Sequence, residues 1–322
     1  MAITKISIEN FKGIGDRVEV DLKPITILFG ANSAGKSTLL QAMLYLRELL
    51  ERRNADADRL LSSGASIDLG GFRQFVHCHD LDREVKIGVT IEVSDDGLPV
   101  LPVPEMIRSD DLEQRDFADN GITEVKEACV EIAVGWNDTD DQPEIRSYSV
   151  FLDGTLFSAL EADSSEQCYL VRCQADHSSL VNQFYSGSDS EDYPLECVAL
   201  QNYIEQATLL DADSSANGNY RVPVDSKSVV PDWDSLILPK KYFGFVNWGE
   251  GSGENEPQEY EEYAQSQFIL SQLILGAGKV ILEELQKIRY VGPIRSLPKR
   301  NFAALRSPAG APWADDVAAW DL

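Results

Sequence analysis

Basic residues are scarce in this chain, and the shortage limits what it can bind. Its 322 residues include 28 lysines and arginines against 54 aspartates and glutamates, a formal net charge of −26. Proteins bind nucleic acid largely through Lys and Arg that displace counterions from phosphates, so this surface repels nucleic acid at long range. The composition therefore argues against general nucleic-acid binding, and any DNA contact needs a local basic patch or comes from a partner.

The sequence also shows no long apolar run, no secretory-leader pattern and no disulfide framework. The longest apolar stretch, residues 268–278, is far shorter than the ~20 residues of a membrane span. Residues 1–20 are mixed polar, unlike a secretory signal. The five cysteines are scattered and odd in number, which favours a reducing compartment. We therefore expect a cytoplasmic protein with no membrane partner.

The first fifty residues follow the order strand, loop, helix. Ile6 and Ile8 alternate with polar residues, which predicts a half-buried strand. Residues 25–29 are a continuous apolar run, the pattern of a strand buried on both faces. Residues 36–52 carry leucines at helical spacing. A glycine-rich segment lies between the predicted buried strand and the predicted helix.

That segment fits the G-x-x-x-x-G-K-[ST] pattern of a P-loop. Its residues are Gly30, Ala31, Asn32, Ser33, Ala34, Gly35, Lys36 and Ser37, followed by Thr38. The glycines allow backbone N–H groups to turn inward around an anion, and the start of the following helix adds its positive dipole end. Lys36 is predicted to contact the β- and γ-phosphates, Ser37 to coordinate Mg²⁺, and Thr38 to bind the α-phosphate. Because the N-K-x-D pattern of GTPases is absent, we predict ATP with Mg²⁺ as the ligand.

Beyond the helix the pattern changes to alternating strands. Strict alternation over residues 85–93, its repetition over 130–136, and an Asp153-Gly154 turn predict an antiparallel subdomain up to residue 175. Residues 176–250 are poor in periodicity and read as an irregular insertion. A long helix is predicted over 258–288. We therefore expect a nucleotide-binding lobe with the antiparallel subdomain at 1–175, the insertion at 176–250, and a helical segment at 251–322.

The segments 6–13 and 25–40 resemble the ABC-type ATPases of the RecF, SMC and OLD-nuclease kind. Residues 68–72 and 290–295 resemble the bacterial branch of AAA-15-type ATPases, several of which serve in phage defence. The resemblance implies an α/β P-loop NTPase fold with a mixed sheet, an antiparallel β subdomain and a long C-terminal helix. It also implies that Lys12 lies near the phosphates and that Gln74 senses magnesium and water. For Gln74, a loop glutamine without a special task fits the residues equally well.

The resemblance further implies head-to-tail, ATP-dependent dimers in which one protomer's P-loop faces the other's signature motif. The signature motif and the Walker B strand are expected after residues 290–293, and the chain stops at Leu322 before either. The apolar-acidic run of residues 280–284 resembles Walker B, but it lies within a helical pattern. We therefore expect the hydrolytic glutamate to be missing.

Three functions stay open on the sequence. The first is an ATPase whose hydrolysis drives dimerisation or effector control, in phage defence or DNA maintenance. The second is a non-hydrolysing nucleotide sensor that regulates an effector such as a nuclease. The third is DNA binding through residues 287–306, which hold six basic and no acidic residues. For that segment, a solvated basic loop is the alternative. The motif at residues 77–80, His-Cys-His-Asp, is not favoured as a metal site, because adjacent ligands on an extended segment point in opposite directions.

Overall fold

The computed structural model describes part of the chain, and the account below concerns that part alone. Its described residues are 1–30, 35–53, 55, 69–99, 124–162, 167–174, 177–178, 222–224, 226, 228–233 and 256–289. The middle of the P-loop (31–34), most of the insertion at 176–250 and everything after residue 289 lie outside them.

The chain divides into two compact units. The first, called the sheet unit, comprises Met1–Lys5, Gly88–Ile132 and Ile145–Ile281. The second, called the P-loop unit, comprises Ile6–Ile87, Ala133–Glu144 and Leu282–Leu322. The candidate site residues of the sequence all fall in the P-loop unit.

The described strands form one eight-stranded sheet in the order β2-β1-β3-β4-β5-β6-β7-β8. The strands are β1 Ala2–Glu9, β2 Val18–Asp21, β3 Val85–Glu92, β4 Glu127–Asn137, β5 Gln142–Leu152, β6 Thr155–Ala162, β7 Cys168–Cys173 and β8 Val222–Pro223. The alternating patterns that predicted strands near residues 85–93 and 130–136 are confirmed by β3 and β4. Asp153 and Gly154 form the predicted turn between β5 and β6, which pair antiparallel.

The mixed sheet predicted from the sequence is wrong, because the sheet is antiparallel. The strand expected at residues 25–29 is not in the sheet, and those residues carry no regular structure. Ile25, Ile27 and Phe29 are 83%, 67% and 88% exposed. An apolar run forms a buried strand only where neighbours cover both faces and bond both edges, and the described residues leave these side chains in solvent.

The helices are α1 Lys36–Arg52, α2 Phe72–Phe75 and α3 Glu256–Gln286, with a 3-10 turn at His77–His79. The predicted helix over residues 36–52 is confirmed by α1, whose apolar face is buried. Among the described residues, none of the helices combines the length and the hydropathy that crossing a membrane requires.

Each unit has its own apolar core. In the P-loop unit, Phe11, Tyr45 and Phe75 form an aromatic cluster with ring centroids 5.1 to 6.1 Å apart. In the sheet unit, the buried Tyr148 hydroxyl donates a hydrogen bond to the Ile274 carbonyl of α3 over 3.0 Å. Phe11 directly precedes Lys12, so this cluster anchors the backbone beside a residue that the sequence predicts to lie near the phosphates.

Candidate phosphate-binding site

The helix α1 begins directly after the glycine-rich loop. Gly35 precedes the helix with φ 81°, a left-handed conformation that glycine adopts without the penalty other residues meet. Among the described residues, no side chain caps this end. The first N–H groups of a helix have no partner within the helix, so here they can meet an anion supplied from outside.

Lys36, the first residue of α1, reaches back to the start of the glycine-rich segment. Its Nζ donates a hydrogen bond to the Gly30 carbonyl over 2.7 Å, which joins the two ends of the glycine-rich segment. Ser37 follows and is exposed, whereas Thr38 is buried and its backbone N–H donates to the Gly35 carbonyl over 3.0 Å. Ala31, Asn32, Ser33 and Ala34 lie outside the described residues.

Lys12 reaches α1 from the turn after β1. Its Nζ donates a hydrogen bond to the Oε1 of Gln41 over 2.7 Å. Gln41 lies four residues after Ser37, about one helical turn further along the same face. The ammonium of Lys12 is therefore held on the helix that begins at the P-loop, close to its first turn.

Gln41 is a candidate site residue that the sequence reasoning missed. A helical glutamine has many uses, and its pairing with Lys12 spans 29 residues of sequence. The available signal was its i+4 spacing from Ser37, which places both side chains on one helix face.

Gln74 lies on α2 and directly precedes Phe75, whose backbone is hydrogen-bonded to that of Lys12. The Phe75 carbonyl accepts a hydrogen bond from the Lys12 backbone N–H. The Gln74 side chain is exposed, and among the described residues no hydrogen bond joins it to Lys12, Lys36 or Ser37. The structure brings the backbone of α2, rather than the Gln74 amide group, next to Lys12.

The His-Cys-His-Asp segment is part of the scaffold around Lys12. The Nδ1 of His77 lies 2.9 Å from the Lys12 carbonyl, and the Nδ1 of His79 lies 2.9 Å from the Arg73 carbonyl. A hydrogen bond from Arg83 is the main cause that lowers the pKa of Asp80. In the described part of the chain, no three side chains of metal-ligating type come together.

The acidic run that resembles Walker B belongs to α3. Residues 280–284 are helical, and Glu284 forms an ion pair with Lys287. A Walker B carboxylate follows a buried strand beside the P-loop, so Glu283 and Glu284 do not have that setting. Of the six basic residues between 287 and 306, Lys287 and Arg289 are described and the others lie outside the described residues.

These residues fit a nucleotide with magnesium. The start of α1 and the left-handed Gly35 suit a phosphate group, and Lys36 on the first turn and Lys12 bonded to Gln41 on the second place two cations on this helix. Mg²⁺ bound with nucleotide keeps several waters and phosphate oxygens, and the exposed hydroxyl of Ser37 is an oxygen that this end of α1 can offer as a further ligand.

Comparison with known families agrees with this geometry. The family model AAA_15, described as an AAA ATPase domain, matches residues 1–235. The matched region contains Lys12, the glycine-rich loop, α1 and α2. No curated protein matches the chain.

Proposed function

The chain belongs to the AAA_15 family of AAA ATPase domains, and from that membership we propose that its glycine-rich loop binds ATP together with Mg²⁺. One observation carries the proposal: the left-handed Gly35, Lys36 and Ser37 stand at the start of α1, where no described side chain caps the helix and Lys36 is bonded to the Gly30 carbonyl. The choice of ATP over GTP is supported by the absence of an N-K-x-D pattern in the sequence.

We propose that the Lys36 ammonium changes its hydrogen-bond acceptor when nucleotide binds, from the Gly30 carbonyl oxygen to a phosphate oxygen. Its ammonium holds the Gly30 carbonyl at 2.7 Å, and a phosphate oxygen with full negative charge is a stronger acceptor than a neutral carbonyl. Ser37 would hold the magnesium ion, which neutralises phosphate charge when bound. Lys12, held beside α1 by Gln41, would add a second cation to the same phosphates.

Hydrolysis is the family's general activity, and we propose it for the complete catalytic assembly. The transferred phosphoryl group needs electrostatic stabilisation and a carboxylate that orients water. Lys36 and Lys12 can supply the first. Gln74 is proposed to help orient magnesium and water, since the backbone of its helix is already bonded to Lys12.

Nucleotide binding without turnover is the second candidate, and one observation favours it. Glu283 and Glu284, the acidic pair in a Walker-B-like sequence, lie inside α3 instead of after a strand. In this alternative the protein is a sensor whose nucleotide state controls an effector such as a nuclease.

Both candidates, the ATPase and the sensor, include self-association of the chain. We propose ATP-dependent head-to-tail contacts between copies, because the resemblance to ABC-type ATPases implies that the P-loop of one protomer faces the signature motif of another. The net charge of −26 favours a protein effector over direct DNA contact. A role in phage defence or DNA maintenance follows only from the resemblance of the sequence.

The test is ATP binding and phosphate release, measured with Mg²⁺ on the same samples. Lys36→Ala is expected to lose ATP binding, and Lys23→Ala, which removes an exposed lysine of the same unit, is expected to bind normally. Normal binding by Lys36→Ala would refute the proposed site. Binding without phosphate release by the wild type would select the sensor, and steady release would select the ATPase.

A further inference from the structure

Arg73 joins α2 to the hairpin between β4 and β5. Its guanidinium carbon lies 4.2 Å from the centroid of the Trp136 ring, and its Nη2 pairs with the Asp141 carboxylate. Trp136 belongs to the end of β4, and Asp141 immediately precedes β5. All three residues belong to the P-loop unit.

Of the two contacts that Arg73 makes with the hairpin, the one with Trp136 contributes more than the one with Asp141. Arg73 and Asp141 have side chains that are 53% and 79% exposed, and ion pairs at such exposure contribute little. The indole face attracts the guanidinium and also stacks on the Phe72 ring, with centroids 6.0 Å apart. Two consecutive residues of α2 therefore rest on one ring of the hairpin.

On its other side, α2 is bonded to the segment of Lys12. The Phe75 carbonyl accepts the Lys12 N–H, and Val76 forms a β-bridge with Phe11. The His77 ring nitrogen Nδ1 lies 2.9 Å from the Lys12 carbonyl. Lys12 has φ 54°, a left-handed conformation that is costly for a residue with a side chain. Contacts with α2 and the turn after it hold Lys12 in that conformation.

We propose that Arg73 is a positioning residue for Lys12, and that the β4–β5 hairpin thereby sets the affinity of the site for nucleotide phosphates. This inference rests on the proposed function. Arg73 forms no hydrogen bond to any P-loop residue that the structure describes. It acts through α2, whose Phe75 carbonyl fixes the backbone from which the Lys12 side chain extends toward Gln41.

The experiment is a double-variant cycle on ATP affinity, measured by calorimetry on the full chain with Mg²⁺. Lys12→Ala is expected to weaken ATP binding about tenfold, the typical loss for a hydrogen bond to a charged group. Arg73→Ala is expected to weaken it severalfold by displacing Lys12. Combined with Lys12→Ala, it should add almost nothing, since residues that act through one contact are not additive. Arg17→Ala, which removes an exposed arginine paired with Glu19, is the matched control and should bind as wild type does.

The outcomes separate this inference from the proposed function. If wild type and Lys36→Ala both fail to bind ATP, the proposed site itself is wrong. If wild type binds and Arg73→Ala binds equally well, the positioning role is wrong and the site stands. If Arg73→Ala weakens binding by the same factor with and without Lys12, Arg73 acts by another route, which also overturns the inference. Thermal unfolding of every variant shows whether it is folded. Should Arg73→Ala not fold, Arg73→Lys, which keeps the cation but loses the planar stacking, carries the same test with a smaller expected change.

Discussion

The Nζ of Lys12 and the Oε1 of Gln41 are 2.7 Å apart, and their hydrogen bond ties the turn after β1 to the helix that begins at the P-loop. The long side chain of Lys12 would otherwise sample many rotamers, and ordering it costs conformational entropy. The hydrogen bond to Gln41 orders the Lys12 side chain in the folded protein, before any ligand binds. A cation held in place in this way strengthens anion binding by preorganisation.

Gln41→Glu is predicted to lower ATP affinity. The new carboxylate would form an ion pair with Lys12 and would place a negative charge about one turn from Ser37, where phosphates are proposed to bind. We expect a loss of about tenfold in calorimetry with Mg²⁺. Gln142→Glu makes the same charge change at an exposed position of the same unit and should have little effect. Equal affinities for Gln41→Glu and wild type would show that Lys12 and Gln41 lie away from the ligand.

Local patterns predicted the helix and most strands, because periodicity records which face of an element is buried. The helix α1 has its predicted limits, and the residues that alternate from 85 onward form β3. The run at residues 25–29 was misread because an apolar run reports only that burial would be favourable. Whether neighbours supply that burial depends on distant segments, which one sequence does not reveal.

Substitutions at residues 25–29 are predicted to cost little stability. Ile27 is 67% exposed, so Ile27→Ser should change the free energy of unfolding by only about 0.5 kcal/mol. Ile8→Ser, in the buried part of β1, should cost about 3 kcal/mol or more. Urea unfolding of both variants decides between the two interpretations of this segment. If Ile27→Ser is as damaging as Ile8→Ser, the segment is buried in solution, as its pattern suggested.

For the site, the sequence predicted the residue types but not their arrangement. The glycine-rich motif names Lys36 and Ser37 because its chemistry is local. The bond between Lys12 and Gln41 spans 29 residues, and the contact of Arg73 with Trp136 spans more than sixty. Such pairings follow from tertiary packing, and no short-range pattern encodes them.

Gly278→Ala is predicted to destabilise the sheet unit by about 1–3 kcal/mol. A Cβ at this position of α3 would overlap the Tyr148 hydroxyl and would lie 2.5 Å from the Trp233 ring. The neighbouring Gly276→Ala is the control, because its Cβ would meet Leu98 at an ordinary 3.6 Å. That variant should be neutral, or more stable by up to about 1 kcal/mol through its helix propensity. Similar unfolding midpoints for the two variants would contradict the close packing at Gly278.

Tyr148 is predicted to make the protein less stable at alkaline pH. Burial raises the pKa of its hydroxyl above the ordinary value of 10.0, so above about pH 10 the unfolded chain loses this proton while the folded chain retains it. The unfolded state then binds fewer protons, and the free energy of unfolding falls by up to about 1.4 kcal/mol per pH unit. Tyr148→Phe should lose this part of the slope, although at neutral pH it costs about 1 kcal/mol because the hydrogen bond to Ile274 is gone. Tyr169→Phe, at a partly exposed position of β7, should keep the wild-type slope. Denaturant unfolding at several pH values above neutrality measures the slopes, and an unchanged slope in Tyr148→Phe would mean that water reaches this hydroxyl in the folded protein.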